Sequence, residues 1–195
     1  MMLADRPDQG RTRMCFASVE LLEFAHTDAR TLFDLRNHPS VLAFMPSREP
    51  LVFASHSQWV AQNLFPGGPL RLFIVRNANL PIGFTVCKRV DDTCFEIGVI
   101  FTEAPQHPGL AAQTAALMLH LCFSHLNAAL VMTFVNVRHE RAIALNRGLG
   151  DEVPSTKPNE LCFNAPREKL LNNPRYQRIM ARLQRTLHIE TEPWP

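Results

Sequence analysis

Phe95-Glu96-Ile97-Gly98-Val99-Ile100-Phe101-Thr102-Glu103-Ala104-Pro105-Gln106-His107-Pro108-Gly109-Leu110-Ala111-Ala112-Gln113 carries the most information in this chain. Its opening residues are apolar or small except Glu96, as in a strand that ends near Phe101. From Gly109 to about Leu126 the chain is rich in Ala and Leu, a helix apolar on nearly every face and therefore buried. Amides at a helix start lack intrahelical acceptors and carry partial positive charge. A glycine there lets a ligand approach the main chain closely. The turn is thus an anion site suited to a diphosphate, with the amides of Gly109, Leu110, Ala111 and Ala112 as donors. Pro108 has no amide hydrogen and adds none. His107 either places positive charge beside a phosphate or stands solvated in the loop. Taken alone, a glycine here also fits a plain strand-to-helix turn.

Upstream, Leu70–Val75, Pro81–Val90 and Thr93–Phe101 are three apolar runs joined by the short turns Arg76–Asn79 and Asp91-Asp92, an antiparallel meander. Before it, Cys15–Phe24 reads as a first strand. A helix follows, capped by Thr27 or Asp28 and running to about Asn37. Ser55 starts a second helix carrying Trp59, Val60 and Leu64. Downstream, Ala129–Val137 is a β-branched central strand, and His139–Leu149 a shorter helix closed by Gly150. Glu160–Asn164 is a last strand. Pro174–His188 is an amphipathic helix with the stripe Tyr176, Ile179, Met180, Leu183 and Leu187 and a basic side of Arg175, Arg178, Arg182 and Arg185. A meander followed by a strand-helix-strand crossover gives an α/β mixed sheet with helices on both faces. Residues 1–14 are expected to be a flexible leader, 15–166 the domain, and 167–195 a C-terminal helix and tail.

The bulk numbers limit the function classes. A formal charge of +2 gives no bulk electrostatic case for nucleic acid. Nearly all positive charge is Arg; the lysines are Lys88, Lys157 and Lys169. The five cysteines, Cys15, Cys87, Cys94, Cys122 and Cys162, include no C-x-x-C, which argues against a disulfide framework and a zinc site and fits a reducing cytoplasm. Cys87 and Cys94 read as core thiols. Leu110–Val137 is the most apolar region, but Gln113, His120, His125 and Asn127 interrupt it, so no membrane span is expected. His120 and His125, five apart on a helix, are not expected to share a face, and no metal site is assigned.

Gln106, Gly109 and Ala111, between an antiparallel strand and a long Ala/Leu helix, resemble the signature loop of the acyl-CoA N-acetyltransferase (GNAT) superfamily. Arg141–Gly150, RAIALNRGLG, resembles the family helix that ends in a Leu-Gly-Phe corner. LRNHPSVLAFM, with His56 and Trp59, resembles the acceptor-side helices of members acting on ribosomal-protein N-termini or amino sugars. The resemblance covers roughly residues 15–165. It implies a GNAT fold: a mostly antiparallel sheet splayed at a cleft, helices on both faces, and here an added C-terminal helix. It also implies acetyl-CoA, or another acyl-CoA, as co-substrate. Its pantetheine arm would lie along Val99, Ile100 and Phe101, with Gln106, His107 and His139 near the coenzyme. A small-molecule or peptide primary amine would attack directly, and a homodimer is compatible with the family.

Glu96 lies where family members often carry a carboxylate base, and is the candidate catalytic base beside the reading of an exposed strand residue. Asn146 aligns with the usual acid tyrosine; an amide can donate a hydrogen bond to sulfur but not a proton. His139 replaces the usual Asn, as a helix cap or a coenzyme contact, and Asp151 replaces the aromatic of the corner. His56 is an acceptor-site base or, more simply, a packing histidine. The competing reading is a catalytically degenerate module of the fold that binds coenzyme A or a protein partner. A third is transfer of a longer acyl chain from acyl carrier protein. The C-terminal stripe is expected to dock on the domain or on a second subunit, with an acidic partner or a membrane surface as the alternative.

Overall fold

The computed structural model describes residues 10–45, 47–65, 68–102 and 109–193. Three consecutive strands form the expected meander: β3 (Leu70–Asn77), β4 (Leu80–Arg89) and β5 (Cys94–Phe101). Ala78 and Asn79 both have positive φ, 48° and 65°, in the two-residue hairpin that joins β3 to β4. Asp91 shapes the next turn by accepting the Thr93 and Cys94 amides, each at 2.8 Å.

The N-terminal strand differs from expectation. Instead of one run there is a hairpin of β1 (Arg11–Phe16) and β2 (Val19–Glu23), in the register Phe16↔Val19. Its first strand begins within the expected leader. The turn is Ala17-Ser18, and Ala17 takes φ 53°, a conformation an L-residue adopts at a cost of about 1–2 kcal/mol. No Gly, Asn or Asp marks it.

The remaining strands are β6 (Leu130–Asn136), β7 (Asp151–Val153), β8 (Glu160–Pro166) and β9 (His188–Glu192). The sheet order is β7-β8-β6-β5-β4-β3-β2-β1-β9, and only β5 and β6 run parallel. The strand β9 lies in the expected tail. Glu190 and Glu192 sit opposite Arg13 and Arg11 of β1.

Seven helices cover the sheet among the described residues: α1 (Ala29–Arg36), α2 (Pro39–Leu42), α3 (Phe53–Asn63), α4 (Leu110–His120), α5 (Glu140–Arg147), α6 (Arg167–Leu171) and α7 (Pro174–Thr186). One face packs Leu32, Leu35 and Val60 against Leu72, Ile74 and Phe84. The other packs Leu117, Met118 and Leu121 of the central helix region on Met14, Leu21, Phe73, Phe95 and Ile97. Tyr176 and Leu183 of α7 join this second core. The C-terminal stripe therefore docks on its own domain. Burial pushes the Tyr176 hydroxyl up to about 12, so the chain's single tyrosine stays neutral and structural. Cys87 and Cys94 are buried in the core, as expected.

The end of the long helix corrects a second expectation. Leu121–His125 is a π turn, with Leu126 N–H bonded to Leu121 O at 3.0 Å. An i→i+5 turn aligns residues five apart. The His120 and His125 rings consequently meet edge to face with centroids 5.2 Å apart. No group of three potential metal ligands occurs among the described residues.

Burial lowers the affinity of His56, His120 and His125 for a proton, helped by Arg36 for His56, by His125 for His120 and by Arg71 for His125. A depressed histidine contributes stability above its unfolded value, near 6.5, that is lost as pH falls through its folded value. The urea midpoint is therefore expected to fall as pH drops from about 7 to 5. Replacing His120 and His125 by Gln should flatten that fall; an unchanged slope would show these rings titrate alike in both states.

Arg71 and Glu23 tie β3 to β2 through two bonds of 2.7 Å, with side chains 19% and 13% exposed. Glu23 also accepts the Thr12 amide at 2.9 Å. Glu23→Ala strands the guanidinium over the Phe73 ring and should cost about 2–3 kcal/mol, read by denaturant unfolding.

Candidate active site: a splayed strand pair

The strands β5 and β6 pair only at their start. Cys94↔Leu130, Phe95↔Val131 and Glu96↔Met132 are in register, and the pairing stops there. Yet β5 continues to Phe101 and β6 to Asn136. Each strand stays bonded on its far side, β5 to β4 as far as Gly83↔Phe101 and β6 to β8 as far as Asn136↔Glu160. The separation is thus a cleft inside a continuous sheet rather than a frayed end. A Cβ at Gly83 would lie 2.1 Å from Ile100 O, so only glycine lets β4 and β5 approach this closely.

Thr102 N–H bonds Ile82 O at 3.0 Å. Antiparallel alternation then turns the main-chain groups of Ile100 toward β4 and those of Val99 and Phe101 toward the cleft. Of the three residues expected along the coenzyme arm, the outer two face the opening.

Gly109 is the N-cap of α4 with φ −84°, and Gln113 N–H makes the first intrahelical bond to Gly109 O at 2.9 Å. The amides of Leu110, Ala111 and Ala112 therefore precede the helical ladder. The Leu110 side chain is buried and anchors the helix start, while Ala111 and Ala112 are half-buried. Gly109, Ala112 and Gln113 line a cavity of about 400 Å³ together with Arg182 and Arg185 of α7. Phe16, Ala17 and Ile179 make much of the remaining lining apolar, and the two arginines beside a helix start favour an anion. The expected contacts Gln106 and His107 lie outside the described residues, as does Pro108.

Glu96 stands at the closed end of the cleft, in the last paired register. Its Oε1 receives a 2.6 Å bond from Lys157 Nζ, and that ammonium lies 3.6 Å from the centroid of the Phe134 ring. Asn146 projects from α5 onto the opposite wall. Its Oδ1 accepts the Thr133 hydroxyl at 2.7 Å, and its Nδ2 donates to Ala142 O at 2.9 Å. One amide hydrogen is left for any further contact. His139 caps α5: its Nδ1 accepts the Ala142 amide at 3.3 Å, so its Nε2 carries the proton. The Phe44 ring packs on His139 with centroids 4.8 Å apart. Near it, the Ser40 hydroxyl donates to Thr102 O, and together these contacts draw the α2 corner over the end of β5.

His56 is 3% exposed, stacks on Trp59 and lies against Phe33, in the manner of a packing histidine. Asn37 fixes the following loop by exchanging two bonds with Leu51, at 2.7 and 3.2 Å. Sequence reasoning missed Lys157, Phe134 and Thr133. The one available signal for Lys157 was its rarity, since it is one of three lysines in an arginine-rich chain.

The sequence profile of the acetyltransferase (GNAT) domain matches residues 18–150, more than half of the chain. Solved structures share the fold. A chimera of the spermidine N-acetyltransferase SpeG from Vibrio cholerae with hSSAT superposes with a TM-score of 0.68 at 18% identity, covering 80% of this chain and 99% of its own. The aminoglycoside acetyltransferase AAC(6')-Ib, in complex with ribostamycin and coenzyme A, gives 0.66 at 16% identity over 82% and 98%. A GNAT-family acetyltransferase from Bacillus anthracis gives 0.65 at 15% identity over 80% and 99%. No curated protein matches the sequence. The profile match ends at residue 150, before β7, β8, α6, α7 and β9. The chain belongs to the acetyltransferase (GNAT) domain family and is an acyl-CoA-dependent N-acetyltransferase.

Proposed function

We propose that this protein transfers an acetyl group from acetyl-CoA to a primary amine of a small molecule, by direct attack and without an acyl-protein stage. The observation that carries the reading is the parting of β5 from β6 beyond Glu96 and Met132. It exposes main-chain groups of Val99 and Phe101 to a ligand lying between the strands. An extended pantetheine arm has amides that suit such groups, and the nucleotide phosphates suit the start of α4 with Arg182 and Arg185 beside it. The coenzyme supplies an activated acyl group as a thioester.

The protein's own residues do the rest. A cleft-facing amide of Val99 or Phe101 polarises the acyl carbonyl. Glu96 takes the proton the amine sheds, directly or through a water. Asn146 holds the Thr133 wall and offers its remaining hydrogen to the departing sulfur. The amide C–N bond forms as the thioester C–S bond breaks, and the thiolate leaves with a proton from solvent. His139 closes the mouth with Phe44. The spermidine and aminoglycoside enzymes that share the fold act on small polyamines and amino sugars by their names, which supports a small-molecule acceptor here.

The test is calorimetry with acetyl-CoA, followed by coenzyme thiol release with alkyl diamines, amino sugars and short peptides. Binding plus thiol release with an amine, and none with the matching alcohol, is expected. Binding with no release from any amine would leave a coenzyme-binding module instead. No helix among the described residues is long and apolar enough to cross a membrane.

A further inference from the structure

We infer that the acceptor-amine seat is formed by the Glu96 carboxylate and the Phe134 ring, and that Lys157 fills it as a built-in competitor. The inference rests on reading the splay as the acyl-transfer cleft. Glu96 and Met132 are register partners, so they share a face of the sheet, and Phe134, two residues on, shares it too. It is the face of α1 and α3, because Ile100, four residues beyond Glu96, packs into their core. Phe95 and Ile97 take the opposite face, under α4. The last ladder pair lies at Glu96, so this carboxylate and this ring flank the point where the strands part.

Lys157 reaches that point from the segment between β7 and β8. Its ammonium is clamped at 2.6 Å from Glu96 Oε1 and 3.6 Å from the Phe134 centroid. A carboxylate and an aromatic face together favour an alkylammonium over a neutral group of the same shape. The lysine side chain is 42% exposed and the glutamate 25%, so the occupant can swing away and the seat is open to solvent. What fits is what Lys157 itself presents: a primary ammonium ending an unbranched alkyl chain. A free alkyl diamine and the lysine side chain of a peptide share that chemistry.

The experiment measures amine binding in the presence of coenzyme A, which allows no chemistry. Lys157→Met keeps an unbranched chain on Phe134 and removes the charge; Lys157→Gln is a second version. Both are expected to bind 1,4-diaminobutane about tenfold tighter than the wild type, since an ion pair and a cation–π contact no longer have to be broken. 1,4-Butanediol should gain nothing. Adding Glu96→Gln to Lys157→Met should abolish the gain. Parallel titration of Nα-acetyl-lysine amide separates the two sources: tighter binding of the diamine assigns a free polyamine, tighter binding of the lysine derivative a peptide side chain. Equal affinity of wild type and both variants for both amines overturns the inference, and so does an equal gain for the diol. Failure of the wild type to bind acetyl-CoA would instead overturn the cleft assignment beneath it.

Discussion

Glu96→Gln is expected to lower amine acetylation by about 10³-fold at neutral pH while leaving acetyl-CoA affinity within about twofold, because a positioned base contributes on that scale. The carboxylate lies at the closed end of the cleft, where the proposed attack would have the amine nitrogen shed its proton. Gln keeps the shape and can still accept from Lys157, so packing is little changed. The loss should narrow as pH rises toward the amine's own ionisation, since an already neutral nucleophile needs no base. Steady-state rates across pH, with the coenzyme affinity measured separately, give both signatures. A variant with wild-type turnover at pH 7 would return Glu96 to the role of ion-pair partner of Lys157.

Gly109→Asp is expected to abolish measurable acetyl-CoA binding, a loss of about 10³-fold. Two unit charges 4 Å apart interact by about 4 kcal/mol at the effective dielectric of a protein surface. Here a carboxylate would stand at the N-cap of α4, where the proposed site puts the coenzyme's diphosphate. Asp is itself a good N-cap residue, so helix stability should hold or rise. That separates electrostatic exclusion from unfolding: the thermal midpoint stays level while calorimetric heat disappears. Gly109→Ala, with no charge, should lose far less. Equal affinity in wild type and the Asp variant would move the diphosphate away from this turn.

The elements of the candidate site were legible because they depend on short-range rules. The strand to Phe101, the glycine at 109 and the apolar helix after it follow from periodicity and cap preference. What was not legible depends on tertiary packing. The Ala17-Ser18 turn carries no turn residue, so one strand was expected where two occur. The π turn shifts helical phase by one residue, which no propensity records, and it brought together two histidines expected to diverge. The ion pair between Glu96 and Lys157 spans 61 positions and depends on where β8 folds back beside β6. For Asn146 and His139 the sequence offered identities only. The structure adds that one is largely committed to Thr133 and Ala142, and that the other caps its helix.

The C-terminal strand has a consequence for self-association. It makes β9 one border of the sheet, and its Glu190 and Glu192 engage Arg11 and Arg13 on β1. At the other border, β7 has three residues. A charge-bearing margin on one side and a stub on the other offer poor templates for strand addition from another chain. These margins are therefore poor places for two copies to splice their sheets, and heated or crowded samples should resist fibrillar growth from them.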